Sequence, residues 1–115
     1  SIIIITFAKI LNNIYNIIMN IQEVTDLVTK KAAEQAPLGK TVKFQFEEGL
    51  LHLDGSGDSN VICNEDKDAD ATVKVSLEDF SNLLTGDLNP MTAFMSGKIK
   101  VDGDMSVAMK LQKLF

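Results

Sequence analysis

Period-two alternation on both sides of one turn constrains this chain more than any other feature. In TVKFQFEEGLLHLDG, residues 41–55, Val42, Phe44 and Phe46 alternate with polar neighbours. Past a turn at Glu48-Gly49, Leu51 and Leu53 alternate with His52 and Asp54. Successive side chains of a strand point to opposite faces, so both runs read as strands with one buried face. On that reading His52 is a surface residue. Two strands alone are marginal in water, so the rest of the chain has to supply further strands and a cover.

The strands continue downstream. GSGDSN, residues 55–60, is a loop; Val61 to Asn64 begins a third strand; EDKDAD is a charged loop; ATVKVS, residues 71–76, is a fourth strand; and KIKVDG, with Ile99 and Val101 on one side, is a fifth. Helical spacing fills the gaps. Phe7, Leu11, Ile14, Ile18, Ile21 and Val28 follow a three-four repeat, which predicts a helix from about residue 4 to residue 35, ended by Pro37 and Gly39. Ser76 can cap a helix whose apolar face is Leu77, Phe80, Leu83 and Leu84, with Gly86 as its stop. Asn89-Pro90 opens a short helix carrying Met91, Phe94 and Met95 on one face and closing at Gly97.

A last helix is predicted from Met105 to Phe115. Val107, Leu111, Leu114 and Phe115 form one apolar sector, Met105 and Met109 a second, and Ser106, Lys110 and Lys113 mark the wet side. A surface helix needs only about a 100° apolar stripe. The methionine sector therefore faces something besides the sheet: a helix, a partner or a ligand.

Composition excludes several functions. With 115 residues the chain is long enough for one domain, and 45% hydrophobic against 23% charged residues is ordinary for a globular protein. The formal charge of −5 argues against nucleic-acid binding, which needs a basic surface, and disfavours a lasting contact with anionic membranes. The single cysteine, Cys63 in an apolar VIC stretch, excludes an intramolecular disulfide and reads as a buried structural thiol. These features fit a cytoplasmic protein.

Catalytic and metal-binding signals fail on inspection. No Cys/His set has zinc spacing. Asp66, Asp68 and Asp70 start a calcium-loop pattern, but Ala71 and Leu77 stand where its glycine and glutamate belong. GSGDSN lacks the last glycine, the lysine and the following helix of a phosphate loop. Nothing resembles a nucleophile-base pair. The chain reads as a non-enzyme with no catalytic residue, metal or cofactor.

The block LLTGDLNPMTAFMSGKIKVDGDMSVAMKLQ, residues 83–112, closely resembles the sterol carrier protein 2 (SCP-2) family. The resemblance is strong from Asp70 onward and looser back to Met19. It implies an α+β fold, a five-stranded mixed sheet covered on one face by helices and enclosing an apolar cavity. It also implies binding, and possible transfer, of a fatty acid, fatty acyl-CoA, sterol or related lipid. Phe80, Leu84, Met91, Phe94, Met95, Ile99, Val101, Met105 and Met109 are the expected ligand-binding residues. Met suits a pocket for varied acyl chains, because it is unbranched and adaptable. Lys98, Lys100 and Lys110 are head-group candidates, although lysines are commonly just solvated. An interaction module with a filled cavity, and an accessory factor presenting isoprenoid or quinone lipids to enzymes, are the alternatives.

Residues 1–18 lie outside the resemblance. They form an apolar N-terminal extension whose origin the sequence leaves open, preceding a domain over 19–115. Lys9, Asn12, Asn13 and Asn16 interrupt the extension, so it is a poor membrane span. Its apolar face continues that of Ile21 and Val28, and the expected outcomes are pairing of two copies into a homodimer through residues 1–18, which the heptad-like spacing favours, or a helix that occupies the lipid entrance.

Overall fold

The five strands form one sheet in the order β3-β2-β1-β4-β5. They are β1 (Thr41–Phe46), β2 (Gly49–Asp54), β3 (Val61–Cys63), β4 (Ala71–Lys74) and β5 (Lys100–Gly103). The computed structural model describes residues 20–112. The expected helix over residues 4–19, the homodimer or lipid-entrance helix of 1–18 and the end of the last helix, 113–115, lie outside the described residues. β1 pairs antiparallel with β2 and parallel with β4, while β3 and β5 add antiparallel at the two edges. The sheet is mixed, as the family resemblance implies.

Register turns the alternation into a wall. Phe44 lies opposite Leu51 on one side and Val73 on the other, and Val73 faces Val101. One pleat away, Ile62, Leu53, Val42 and Ala71 form a parallel row. Side chains in both rows point to one face, and four helices cover it: α1 (Ile21–Ala33), α2 (Leu77–Thr85), α3 (Pro90–Met95) and α4 (Met105–Leu111). Val24, Val28 and Ala32 of α1 are fully buried, as are Val42, Phe44 and Leu51 beneath. The Phe80 ring of α2 lies 4.8 Å from that of Phe44 and 5.2 Å from that of Phe46, tilted to both. Such aromatic contacts add to the area already buried.

Ser76 and Asn89 cap their helices as the sequence predicts, whereas extended Asn20 caps α1 at Ile21, where the sequence predicts a helix continuous from about residue 4. Asn20 accepts from the Glu23 amide at 2.8 Å, Ser76 from Asp79 at 3.0 Å and Asn89 from Met91 at 2.9 Å. Asn60, in the GSGDSN loop, finishes α1 from a distance. Its Nδ2 donates to the carbonyls of Ala32 and Ala36, and its Oδ1 accepts from the Leu38 amide. Carbonyls left over at a helix end need such partners.

Two single-residue readings are corrected here. His52 is buried, not a surface residue. Because β3 sits at one edge and β4 lies beyond β1, residues 64–70 must cross three strand spacings, about 14 Å. They cross on the face away from the helices, where Lys43 Nζ meets Asp66 Oδ1 at 2.6 Å and His52 Nε2 meets the Asp68 carbonyl at 3.0 Å. A carbonyl only accepts, so Nε2 carries the proton. Cys63, beside His52 in the register, is half-buried rather than buried. Edge strand β3 has a neighbour on one side only.

Candidate ligand cavity

The last third of the chain folds over β4 and β5 without closing on them. Gly103 sets the geometry. A Cβ there would stand 2.5 Å from the Asp70 carbonyl oxygen, and its φ is +100°. Only glycine lets β5 end this close to β4 and turn at once into α4. At the other end Gly97, φ +81°, reverses the chain from α3 towards β5. Asp104 then caps α4, its carboxylate accepting from the Ser106 amide at 2.9 Å and hydroxyl at 2.7 Å. These bonds, the hydroxyl's first, together with Lys40 at 3.2 Å, lower its pKa from 3.8 to about 2.

Between sheet and helices lies a cavity of about 410 Å³. Phe44, Val73, Val75, Ile99 and Val101 form its floor; Phe80 and Leu83 of α2 close one side. Pro90, Met91 and Phe94 of α3 line a second part, and α4 contributes Met105, Ser106, Ala108, Met109 and Leu111, followed by Gln112. The deep end is sealed: Phe44 and Phe80 are 0% exposed. The mouth is open and apolar, with Met91 at 52%, Phe94 at 42%, Met105 at 51% and Met109 at 70%. No charged side chain lines the cavity, and Ser106 and Gln112 are its only polar side chains among the described residues. Its size is within the ~300–1,000 Å³ usual for small-molecule sites.

Seven of the nine expected residues line this space: Phe80, Met91, Phe94, Ile99, Val101, Met105 and Met109. Leu84 does not; it is buried in the core, one position round from Leu83, which does line the cavity. Met95 is 82% exposed and also lies outside it. The short α3 is rooted by buried Ala93, and two residues of helix turn Met95 about 200° from that side. Ser106, expected on the wet side, lines the cavity, with its hydroxyl held by Asp104. Lys98 and Lys100 line a separate polar groove with Lys74 and Glu47 across the sheet edge, and Lys110 Nζ lies 3.4 Å from the Leu38 carbonyl. The floor residues Phe44, Val73 and Val75 were legible as strand core but not as lining, because that depends on what the helices leave uncovered.

Two acids of the 64–70 crossing are engaged elsewhere. Asp66 pairs with Lys43, and Asp70 accepts from the Thr41 amide at 2.9 Å and hydroxyl at 3.1 Å. Those bonds hold the Asp70 carboxyl below the usual range, and they clasp the start of β1 to that of β4.

The mixed sheet, the one-sided helices and the apolar space beneath α3 and α4 agree with a match of residues 17–115 to the model of the SCP-2 sterol transfer family. The chain belongs to that family. Sterol carrier protein 2 from Bos taurus is 48% identical over 59 residues, 51% of this chain and 11% of the relative. Hydroxysteroid dehydrogenase-like protein 2 from Xenopus laevis is 32% identical over 101 residues, 82% of this chain and 24% of that protein. The chain thus spans a small part of these relatives. Among solved structures, palmitated SCP2L2 from Aedes aegypti superposes with a TM-score of 0.65 at 21% identity, covering 84% of this chain and 94% of that one. At that identity the likeness speaks for the fold. Among the described residues, no helix is long and apolar enough to cross a membrane.

Proposed function

We propose that this SCP-2 domain binds a single apolar lipid in the cavity under α3 and α4 and releases it through the methionine-rimmed mouth, without chemical conversion. The observation that carries the reading is the lining: an uncharged, apolar cavity closed at its deep end and open at an apolar rim. Burial of an acyl chain or ring system supplies the affinity, at about 25 cal/mol per Å² of apolar area. Phe80, Met91, Phe94, Ile99, Val101, Met105 and Met109 are the contact residues of this proposal; Leu84 and Met95 are left out of it.

No cation lines the cavity, so an anionic head group stays at the mouth in water, where Gln112 offers a neutral hydrogen bond. This suits a fatty acid, its thioester or a sterol equally. The palmitated Aedes aegypti relative supports an acyl chain as the first ligand to try. Native mass spectrometry followed by organic extraction, with titration of a fluorescent fatty acid, tests the reading. A stoichiometric lipid and saturable binding are expected. A lipid-free protein that rejects the fatty acid overturns it and leaves the interaction module.

A further inference from the structure

Methionine is used unusually in this domain. As a large apolar side chain it belongs in a core, yet among the described residues no methionine is buried. All four in the described region are exposed: Met91, Met95, Met105 and Met109. Three of them surround the cavity mouth, and they come from two elements. Met91 lies in the first turn of α3, while Met105 and Met109 stand one turn apart on α4. Leucine would cover the same apolar area. What methionine adds is a thioether sulfur, on side chains half exposed or more at the mouth, whose polarity a two-electron oxidation changes.

We propose that Met91, Met105 and Met109 are an oxidative modification site whose conversion to sulfoxides loosens the hold on an apolar ligand. The proposal rests on the lipid reading above. The oxidant is a hydroperoxide. A sulfur lone pair attacks the terminal peroxide oxygen, the S–O bond forms as the O–O bond breaks, and the transferred oxygen's proton passes to the departing oxygen. Thioether and hydroperoxide become sulfoxide and water or an alcohol; sulfur loses two electrons and the peroxide gains them.

The new S–O dipole stands where ligand has to displace water. The other rim and floor side chains offer it almost no donor: the Ser106 hydroxyl is already committed to Asp104, which leaves Gln112. A seated lipid would strip water from a polar group left without a partner, which is unfavourable. The fold is insulated from the change, because the three side chains are half exposed or more and stand outside the buried core. Met95 provides an internal control. It is the most exposed of the four and does not line the cavity, so its oxidation is silent for binding.

The test treats the full chain with graded hydrogen peroxide, removes the peroxide with catalase, maps sulfoxide at each methionine by peptide mass spectrometry, and titrates a fluorescent fatty acid. Kd should rise about tenfold or more. The rise should follow occupancy at Met91, Met105 and Met109 rather than at Met95, with the unfolding midpoint nearly unmoved. Methionine sulfoxide reductases should restore binding. The M91L/M105L/M109L variant, whatever its starting Kd, should keep that Kd after peroxide; if it fails to fold or to bind, reversal by reductase in the parent chain decides. Full oxidation of the three with unchanged Kd overturns this proposal alone, and so does an equal loss in the leucine variant. A parent chain that never binds the fatty acid overturns the lipid reading and this one with it.

Discussion

The two halves of the helix-covered sheet face have the same chemistry and opposite outcomes. Under α1, the β2–β1 half is sealed: Val24, Val28, Ala32, Leu51 and Leu53 are at most 1% exposed. Under α3 and α4, the β4–β5 half keeps about 410 Å³ of space behind an exposed rim. Both floors are branched aliphatic side chains and Phe. The difference lies in the roof. α1 has 13 residues, about 20 Å of helix, enough to run along the strands. α3 has six and α4 seven, about 10 Å each, and the open cavity lies beneath them. Side-chain hydrophobicity therefore does not distinguish a core from a pocket; the length and placement of the covering helices do.

Substitutions in the two halves should behave differently. Leu51→Ala, in the sealed half, should cost about 2–5 kcal/mol of unfolding free energy, with fatty-acid affinity of the folded fraction unchanged. Denaturant unfolding beside a lipid titration measures both; a smaller loss would mean that the sealed half is as loose as the other. Gly103→Ala strikes the hinge of the open half. The added carbon meets the Asp70 carbonyl at 2.5 Å with φ at +100°, and a loss of about 2–3 kcal/mol is expected. Here binding should fall with stability, because β5 and α4 move together.

Met109→Gln sharpens the contrast from the other side. At 70% exposure the change should shift stability by no more than about 0.5 kcal/mol, while fatty-acid affinity drops about tenfold, or ~1.4 kcal/mol. Lost stability with unchanged affinity would make Met109 a packing residue. The smallest effect concerns acid. Asp104 has its pKa lowered to about 2 from 3.8. A depressed carboxyl contributes stability that is fully present above about pH 4 and is lost as pH falls towards 2. Asp104→Ala should flatten this stretch of the stability–pH curve, leaving the same slope if the cap contributes nothing.

Local features of the sequence sufficed for much of this. Alternation at Val42, Phe44 and Phe46 located β1, and Ser76 and Asn89 were recognisable as helix starts because a cap acts over three residues. The double-sided last helix foretold that Met105 and Met109 face something other than the sheet. Tertiary structure alone decided the rest. Leu83 and Leu84 are both apolar and adjacent, and only the packing of α2 sends one to the cavity and the other to the core. Met95 looked like its neighbours until Ala93 anchored α3 and turned it outward. His52 alternates as a surface residue should, yet a connection 16 residues downstream crosses the sheet and buries it. Periodicity reports which side of an element is apolar. It carries no information on what a distant segment will lay over either side, because that is set by topology and by how far each cover can reach.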